Sequence, residues 1–393
     1  MQILGRAMTP YNAVMSASRS KAAGSSLEQL LQPFQLGATT LRNRVVMAPM
    51  TRSFSPGGVP TPEVATYYRR RAEGEVGLII TEGTVVDHPA SNGYPDVPQI
   101  FGDKALAGWR AVVDAVHAAG GAIAPQIWHV GGVRQRGMQP DPDVPGYGPS
   151  AVPHPGKGDE AEAPVEMDLV EIEQVVDAYG RAAAAAEACG FDAVEIHGAH
   201  GYLVDQFLWE VTNRRRDAYG GTLERRLRFA VEVVETVRRS VSPTFPVIFR
   251  FSQWKMGAYR AKLVRSPGEL ERLLTPLVDA GVDLFHASTR KYWKPEFKGS
   301  NLNLAGWTEK ITGKPAITVG SVGLDSDFLG AFMGKTATQT GIDDLLERLS
   351  RREFSLVAVG RALLADPHWA RKLREGRTDE IVTFEPEALE SLR

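Results

Sequence analysis

Short apolar runs recur eight times along this chain, separated by longer stretches with helical patterning, and that alternation constrains the fold more than any other feature. The runs are Val45–Ala48, Leu78–Thr81, Ala122–Gln126, Ala193–Ile196, Val247–Arg250, Leu284–Ala287, Ala316–Val319 and Leu356–Val359. Between them lie helix-like stretches such as Thr61–Glu73, Lys104–Ala119, Leu169–Ala188, Leu223–Ser240 and Pro267–Ala280. Strand–helix alternation implies a parallel sheet. Eight such units predict an α/β chain folded as a (β/α)8 TIM barrel rather than a doubly wound sheet. No second domain is expected: residues 27–376 form the barrel and 377–393 a C-terminal extension.

Composition narrows the function classes. A 43% apolar and 23% charged make-up is that of a soluble globular protein. The net charge of −2 offers no overall basic surface for nucleic acid. No apolar run approaches the roughly 18 residues of a membrane-spanning helix. The one cysteine, Cys189, excludes an internal disulfide and a Cys-ligated iron–sulfur cluster within this chain, and reads as a buried structural thiol. A cytoplasmic protein is the resulting expectation. Residues 1–26 carry Arg6, Arg19 and Lys21 with no acidic residue, a composition like that of a transit peptide. The expectation is a flexible leader. A homo-oligomer is left open, and no partner other than a small-molecule substrate is implied.

Chemistry concentrates where barrel enzymes keep it, just past the carboxyl ends of strands. The run Val194-Glu195-Ile196-His197-Gly198-Ala199-His200-Gly201-Tyr202 delivers two histidines and then a tyrosine from one strand. Two imidazoles can donate to a single substrate oxygen, and a phenol can supply a proton. A metal is not expected, because no carboxylate or Cys stands at a familiar ligand spacing from the histidine pair. Gly320-Ser321-Val322-Gly323 after the seventh run and Gly360-Arg361 after the eighth supply close-approach glycines and a guanidinium. Barrels frequently bind phosphate between these two loops. No GxGxxG follows a strand, so a mononucleotide is a better fit than a resident dinucleotide. Two long connections, Gly131–Asp168 and Gly198–Gly221, follow strand ends and are expected to overhang the site as a lid or wall.

Taken in order, Leu41-Arg42-Asn43-Arg44, Ala48-Pro49-Met50-Thr51-Arg52, Thr81-Glu82-Gly83-Thr84, Gln126-Ile127-Trp128-His129, the two-histidine run and Asn213-Arg214-Arg215-Arg216-Asp217-Ala218-Tyr219-Gly220-Gly221 form a set. With Arg250 and the two phosphate loops, that set strongly resembles the Old Yellow Enzyme family of FMN-dependent ene-reductases, from about Leu27 to Gly376. The resemblance implies that Pro49, Met50 and Thr51 line the flavin, that Gly83 offers it a backbone group, and that Gln126 hydrogen-bonds its pyrimidine portion. Arg250 would sit beside the atoms that gain negative charge on reduction, where a fixed cation helps. Gly320, Ser321, Gly360 and Arg361 would hold the phosphate. His197 and His200 would grip a substrate carbonyl, and Tyr202 would donate a proton. Trp128, Trp254 and Tyr292 are the expected substrate walls.

The reaction so implied is ping-pong: NADPH or NADH reduces the flavin, which then passes hydride from N5 to an enone, enal or nitroalkene. Two alternatives share the cofactor cradle: an FMN barrel oxidase or dehydrogenase acting on an amine or hydroxy acid, and a non-catalytic flavin- or ligand-binding barrel. Arg214–Arg216, Asp217 and Tyr219 read as loop bracing, and His129 and His286 as satisfied structural histidines. Two positions and two runs depart from family patterns. His200 stands where some relatives carry asparagine, and Thr51 where others carry cysteine, so thiol-dependent tuning of the flavin is not expected. The runs Phe251-Ser252-Gln253-Trp254-Lys255 and Arg290-Lys291-Tyr292-Trp293 differ from better-known members and are expected to face the substrate through Trp254, Tyr292 or Trp293, which leaves the substrate's identity open.

Overall fold

In a computed structural model, which describes residues 27–158 and 160–393, eight parallel strands close into a barrel. The expectation for residues 1–26 lies outside the described residues. The strands are β1 (Val45–Met47), β2 (Leu78–Val85), β3 (Ala122–Trp128), β4 (Val194–His200), β5 (Val247–Lys255), β6 (Leu284–Ser288), β7 (Ala316–Val319) and β8 (Leu356–Val359). Each pairs with its sequence neighbours, and β8 closes on β1 through Ala358 opposite Val46. The fold is the (β/α)8 TIM barrel that the alternation predicts.

The apolar runs mark where strands begin better than where they end. β2 continues past Thr81 to Val85 and β5 past Arg250 to Lys255, because polar residues at the mouth extend the ladders. Register shifts interrupt β2 against β3 between Ile80 and Gly83, and β4 against β5 between Gly198 and His200. Such irregularities re-aim side chains at barrel rims. The interior is filled by alternate residues, among them Val46, Ala124, Ala193, Ile248, Leu284 and Ile317. A hairpin of Phe34–Leu36 and Thr39–Leu41 adds Leu36 and Leu41 to that cluster.

Outer helices carry ordinary start signals. α1 (Pro62–Glu73) has Thr61 accepting from the Val64 amide with Pro at its first position, and α2 spans Asp103–Ala118. α3 (Leu169–Ala188) opens with a full capping box between Asp168 and Glu171. The long connection from Gly198 to Gly221 contains a wholly buried helix, α4 (Leu203–Leu208). Its residues are buried all round, so no amphipathic period announces it. Gly131–Asp168 likewise holds a small parallel pairing of 147–148 with 165–166. The remaining helices are α5 (Leu223–Ser240), α6 (Pro267–Asp279), α7 (Leu304–Thr312), α8 (Phe328–Phe332), α9 (Asp343–Ser350), α10 (Arg361–Ala365) and α11 (Trp369–Arg374). Among the described residues no helix is long and apolar enough to cross a membrane.

The segment after α11 folds back on the barrel. Arg52, beside Thr51, donates to the carbonyls of Ala388 (3.1 Å) and Ser391 (2.6 Å). Arg70 donates to Leu392 and Arg71 to Arg393.

Candidate active site

The period of two along a strand brings the polar residues of the mouth inward. On β3, Gln126 and Trp128 continue the inward set of Ala122 and Ala124. On β4, Glu195 and His197 follow Ala193; on β5, Arg250 and Ser252 follow Ile248; on β6, His286 and Ser288 follow Leu284. Four successive strands therefore carry polar interior positions, while β7, β8 and β1 contribute Ile317, Val319, Ala358, Val46 and Ala48. Toward its mouth the interior is therefore polar along β3–β6 and apolar along β7, β8 and β1.

His197, Trp128 and Tyr202 form one aromatic cluster. The Tyr202 ring stands edge-on to Trp128 (4.8 Å between centroids) and to His197 (5.1 Å). His197 Nδ1 accepts from the Ala199 amide at 3.3 Å, which leaves the proton on Nε2. Burial, with Arg250 and His286 nearby, pushes its pKa well down, so the ring is neutral and offers one N–H. The Tyr202 hydroxyl meets that of Tyr94 at 3.0 Å, and burial pushes its pKa well above the usual phenol value. Gly83 leaves room for this cluster: a Cβ there would lie 2.2 Å from Trp128 Cε3.

His200 is held differently. Its backbone takes φ of +67°, left-handed for a non-glycine residue, and Gly201 follows at +85°. The turn is pinned from beneath. Asp205 Oδ2 accepts from the Gly201 amide, while its Oδ1 meets Lys255 Nζ at 2.6 Å with both side chains fully buried. His154 Nε2 bonds the Gly201 carbonyl, and the His200 amide donates to Ser252 Oγ. The His200 ring stacks on Trp254 at 4.3 Å, and Trp254 continues to Phe328 and Tyr259. Its Nε2 lies 2.8 Å from Ser288 Oγ.

Below lies a buried polar layer. Gln126 Nε2 donates to Glu195 Oε1 at 2.7 Å, and His286 Nδ1 meets Glu195 Oε2 at 2.7 Å. Burial lowers the Arg250 guanidinium to about 10, with Glu195 opposing the shift, so it stays cationic at neutral pH. His129 is satisfied at both nitrogens, by His88 and by the Gly131 amide. His286 is not: its Nε2 is buried without a partner, contrary to the expectation of a satisfied histidine.

At the other side of the mouth Pro49 and Met50 are half-buried and Thr51 is exposed. Glu82 fixes this turn, Oε2 accepting from the amides of Arg52 (2.7 Å) and Ser53 (3.0 Å). The loops after β7 and β8 are neighbours through their strand pairing. Gly320 has φ of +136°, and a Cβ there would strike the Thr289 carbonyl at 2.6 Å. Ser321 directs its hydroxyl to the carbonyls of Arg290 and Ser326, both at 2.9 Å, and thereby shapes the loop. Gly360 caps α10, whose first residue Arg361 bonds the Ser326 carbonyl. Arg361 Nη1 and Ser326 Oγ are buried without partners.

Tyr292 is the expected wall residue that the fold does not bring to this cluster. It packs edge-on against Trp293 and lines a separate cleft with Ser321 and Arg348, near the start of α9. A sequence run cannot show which way a loop residue turns. Conversely, Tyr94 carries no local signal, since its contact with Tyr202 spans 108 residues. Glu195 did carry one: an acid at an inward-facing position of an apolar strand demands partners. Among the described residues no group of three or more His, Cys, Asp or Glu side chains could hold a metal.

The unpartnered donors fit a flavin mononucleotide. Arg250 Nε and Trp128 Nε1 are buried without partners at the mouth, and Arg361 Nη1 is so beside the loops after β7 and β8. Residues 29–380 match the family model described as NADH:flavin oxidoreductase / NADH oxidase. The chain belongs to that family. Its cofactor is FMN, and its motifs are those of Old Yellow Enzyme. The NADH oxidase of Thermoanaerobacter brockii is 34% identical over 364 residues, 88% of this chain and 51% of that protein. The putative 12-oxophytodienoate reductase 2 of Oryza sativa subsp. japonica is 46% identical over 209 residues, 53% of this chain and 55% of that one. This chain thus spans about half the length of the curated relatives it matches. Morphinone reductase in complex with tetrahydroNAD superposes with a TM-score of 0.76 at 32% identity, covering 92% of this chain and 93% of that one.

Proposed function

We propose that this protein is an FMN-dependent NAD(P)H oxidoreductase that reduces the C=C bond of α,β-unsaturated carbonyl compounds. When bound, FMN supplies the hydride carrier between a nicotinamide and the β-carbon of the substrate. The observation that carries the reading is the convergence of His197, with its proton on Nε2, and the half-buried Tyr202 phenol on one aromatic cluster. A carbonyl oxygen gains negative charge as the β-carbon is reduced. A preset N–H donor in a dry site stabilises that charge without reorganisation.

His197 is that donor. His200 becomes the second when the substrate oxygen replaces Ser288 on its ring. Tyr202, held protonated by burial, delivers a proton to the α-carbon. Trp128 and Trp254 wall the substrate on either side of the histidines. Gln126 and Arg250 hold the pyrimidine edge of the flavin, and Pro49, Met50, Thr51 and Gly83 line the ring. Gly320, Ser321, Gly360 and Arg361 hold its phosphate. The single barrel, residues 27–376, carries the whole site.

The test is an anaerobic titration of the purified yellow protein with NADPH or NADH, then with cyclohexenone. Bleaching followed by recolouring with the enone is expected. Bleaching reversed by oxygen but not by any enone, enal or nitroalkene overturns the reading and favours an oxidase. Failure to take up FMN removes the flavin reading altogether.

A further inference from the structure

Glu195 has no exposed surface and stands among three polar groups, each from a different strand. Gln126 on β3 and His286 on β6 donate to its two oxygens, at 2.7 Å each. Arg250 on β5 pairs in register with His286 on β6 and with His197, two residues beyond Glu195 on the same inward face of β4, and Glu195 supports its positive charge. With Nδ1–H given to Glu195, His286 keeps a bare Nε2, which is buried and unpartnered. Burying a carboxylate is costly unless its interactions compensate. None of the roles given to Gln126, Arg250, His197 or Tyr202 explains why this carboxylate is there.

We propose that Glu195 is a positioning residue for the flavin, acting through Gln126 and Arg250. A glutamine amide presents either an acceptor or a donor, depending on how it is turned. Because a carboxylate accepts only, Glu195 takes the NH2 of Gln126 and leaves Oε1 as the free end. The flavin pyrimidine ring has a single N–H, at N3, between two carbonyls. A Gln126 amide clamped in this sense offers that N–H its acceptor. The same carboxylate sets a negative charge beside Arg250, so the cation that favours reduction is partly offset. Glu195 therefore governs both how the flavin is seated and how easily it is reduced. This role of Glu195 rests on the proposed placement of the flavin against Gln126 and Arg250.

The experiment uses the FMN-loaded protein and reads the midpoint potential, the visible spectrum and the flavin dissociation constant. In Glu195→Gln the potential is expected to rise, with the ratio of oxidised to reduced flavin dissociation constants shifting by about tenfold in favour of the reduced form. Arg250→Met is expected to lower the potential, and Gln126→Leu to shift the flavin spectrum. If those two variants respond and Glu195→Gln leaves potential and spectrum unchanged, the Glu195 role is overturned while the flavin placement stands. If Arg250→Met and Gln126→Leu change nothing, the placement fails and the proposal with it. Should Glu195→Gln not fold, Glu195→Asp keeps the charge and shortens the reach. It is expected to hold the potential near that of the native protein while weakening oxidised flavin binding about tenfold. Unchanged binding in that variant overturns the proposal.

Discussion

The hydroxyls of Tyr94 and Tyr202 stand 3.0 Å apart, Tyr202 inside the aromatic cluster and Tyr94 stacked on Trp128 at 5.4 Å with part of its surface exposed. A phenol that gives up a proton must recover one, and the hydroxyl of half-buried Tyr94 is a bonded partner that can return it. Tyr202→Phe is expected to slow substrate reduction by about 10²–10⁴-fold while leaving flavin reduction by NADPH intact. Tyr94→Phe should slow the same step by roughly tenfold, and the double variant should be no slower than Tyr202→Phe alone, because both act on one proton. Stopped-flow measurement of the two half-reactions decides. Equal loss in both would remove Tyr202 from the proton-donor role.

The Asp205–Lys255 pair holds the left-handed His200 turn with no exposure on either side chain. Burial raises the Asp205 pKa and lowers that of Lys255, each opposed by its partner. Removing one partner leaves a lone buried charge. Lys255→Met is expected to destabilise the fold by about 3–5 kcal/mol in denaturant unfolding. Adding Asp205→Asn should recover part of that loss. A Lys255→Met protein as stable as the parent would show that the pair does not hold the turn.

Glu82 gives the protein a pH-dependent stability. Burial raises its carboxyl from an ordinary 4.5 to about 7, against the pull of the Arg52 and Ser53 amides. The folded state therefore keeps a proton that the unfolded chain has already released between those values. Stability contributed by this group is present below pH 4.5 and falls as pH rises to about 7. The total change is on the order of 3 kcal/mol. Glu82→Gln should flatten the fall between pH 5 and 7 in urea melts. A slope left unchanged would assign it to other groups.

At the phosphate loops, Arg361 has a buried nitrogen without a partner. Arg361→Met should weaken FMN binding by about 10–100-fold, the worth of one hydrogen bond to a charged group. The same variant should bind riboflavin, which lacks the phosphate, as the parent does. Equal weakening toward both would place Arg361 away from the phosphate.

Strand starts, the barrel and the two-histidine turn could be read from the sequence because each depends on short-range pattern. Val194, Ile196 and His197 show their faces by a period of two. Other features depend on distance. α4 is buried all round and has no amphipathic face to find. Tyr292 sits in a loop, where neither period nor apolar run fixes direction, and it turns toward α9 instead of the histidines. The engagement of His200 by Ser288 joins positions 88 residues apart, and its left-handed backbone follows from Asp205 and Lys255, which are 50 apart.

The tie between Arg52 and the carbonyls of Ala388 and Ser391 closes a span of more than 300 residues. The first barrel loop, which carries Thr51, is thus braced by residues more than 300 positions further along the chain. On the ribosome, β1 and its loop wait for more than 300 further residues before that brace can form. The barrel can assemble its walls strand by strand, but the Thr51 side of its mouth takes its final shape only when synthesis has reached residue 391.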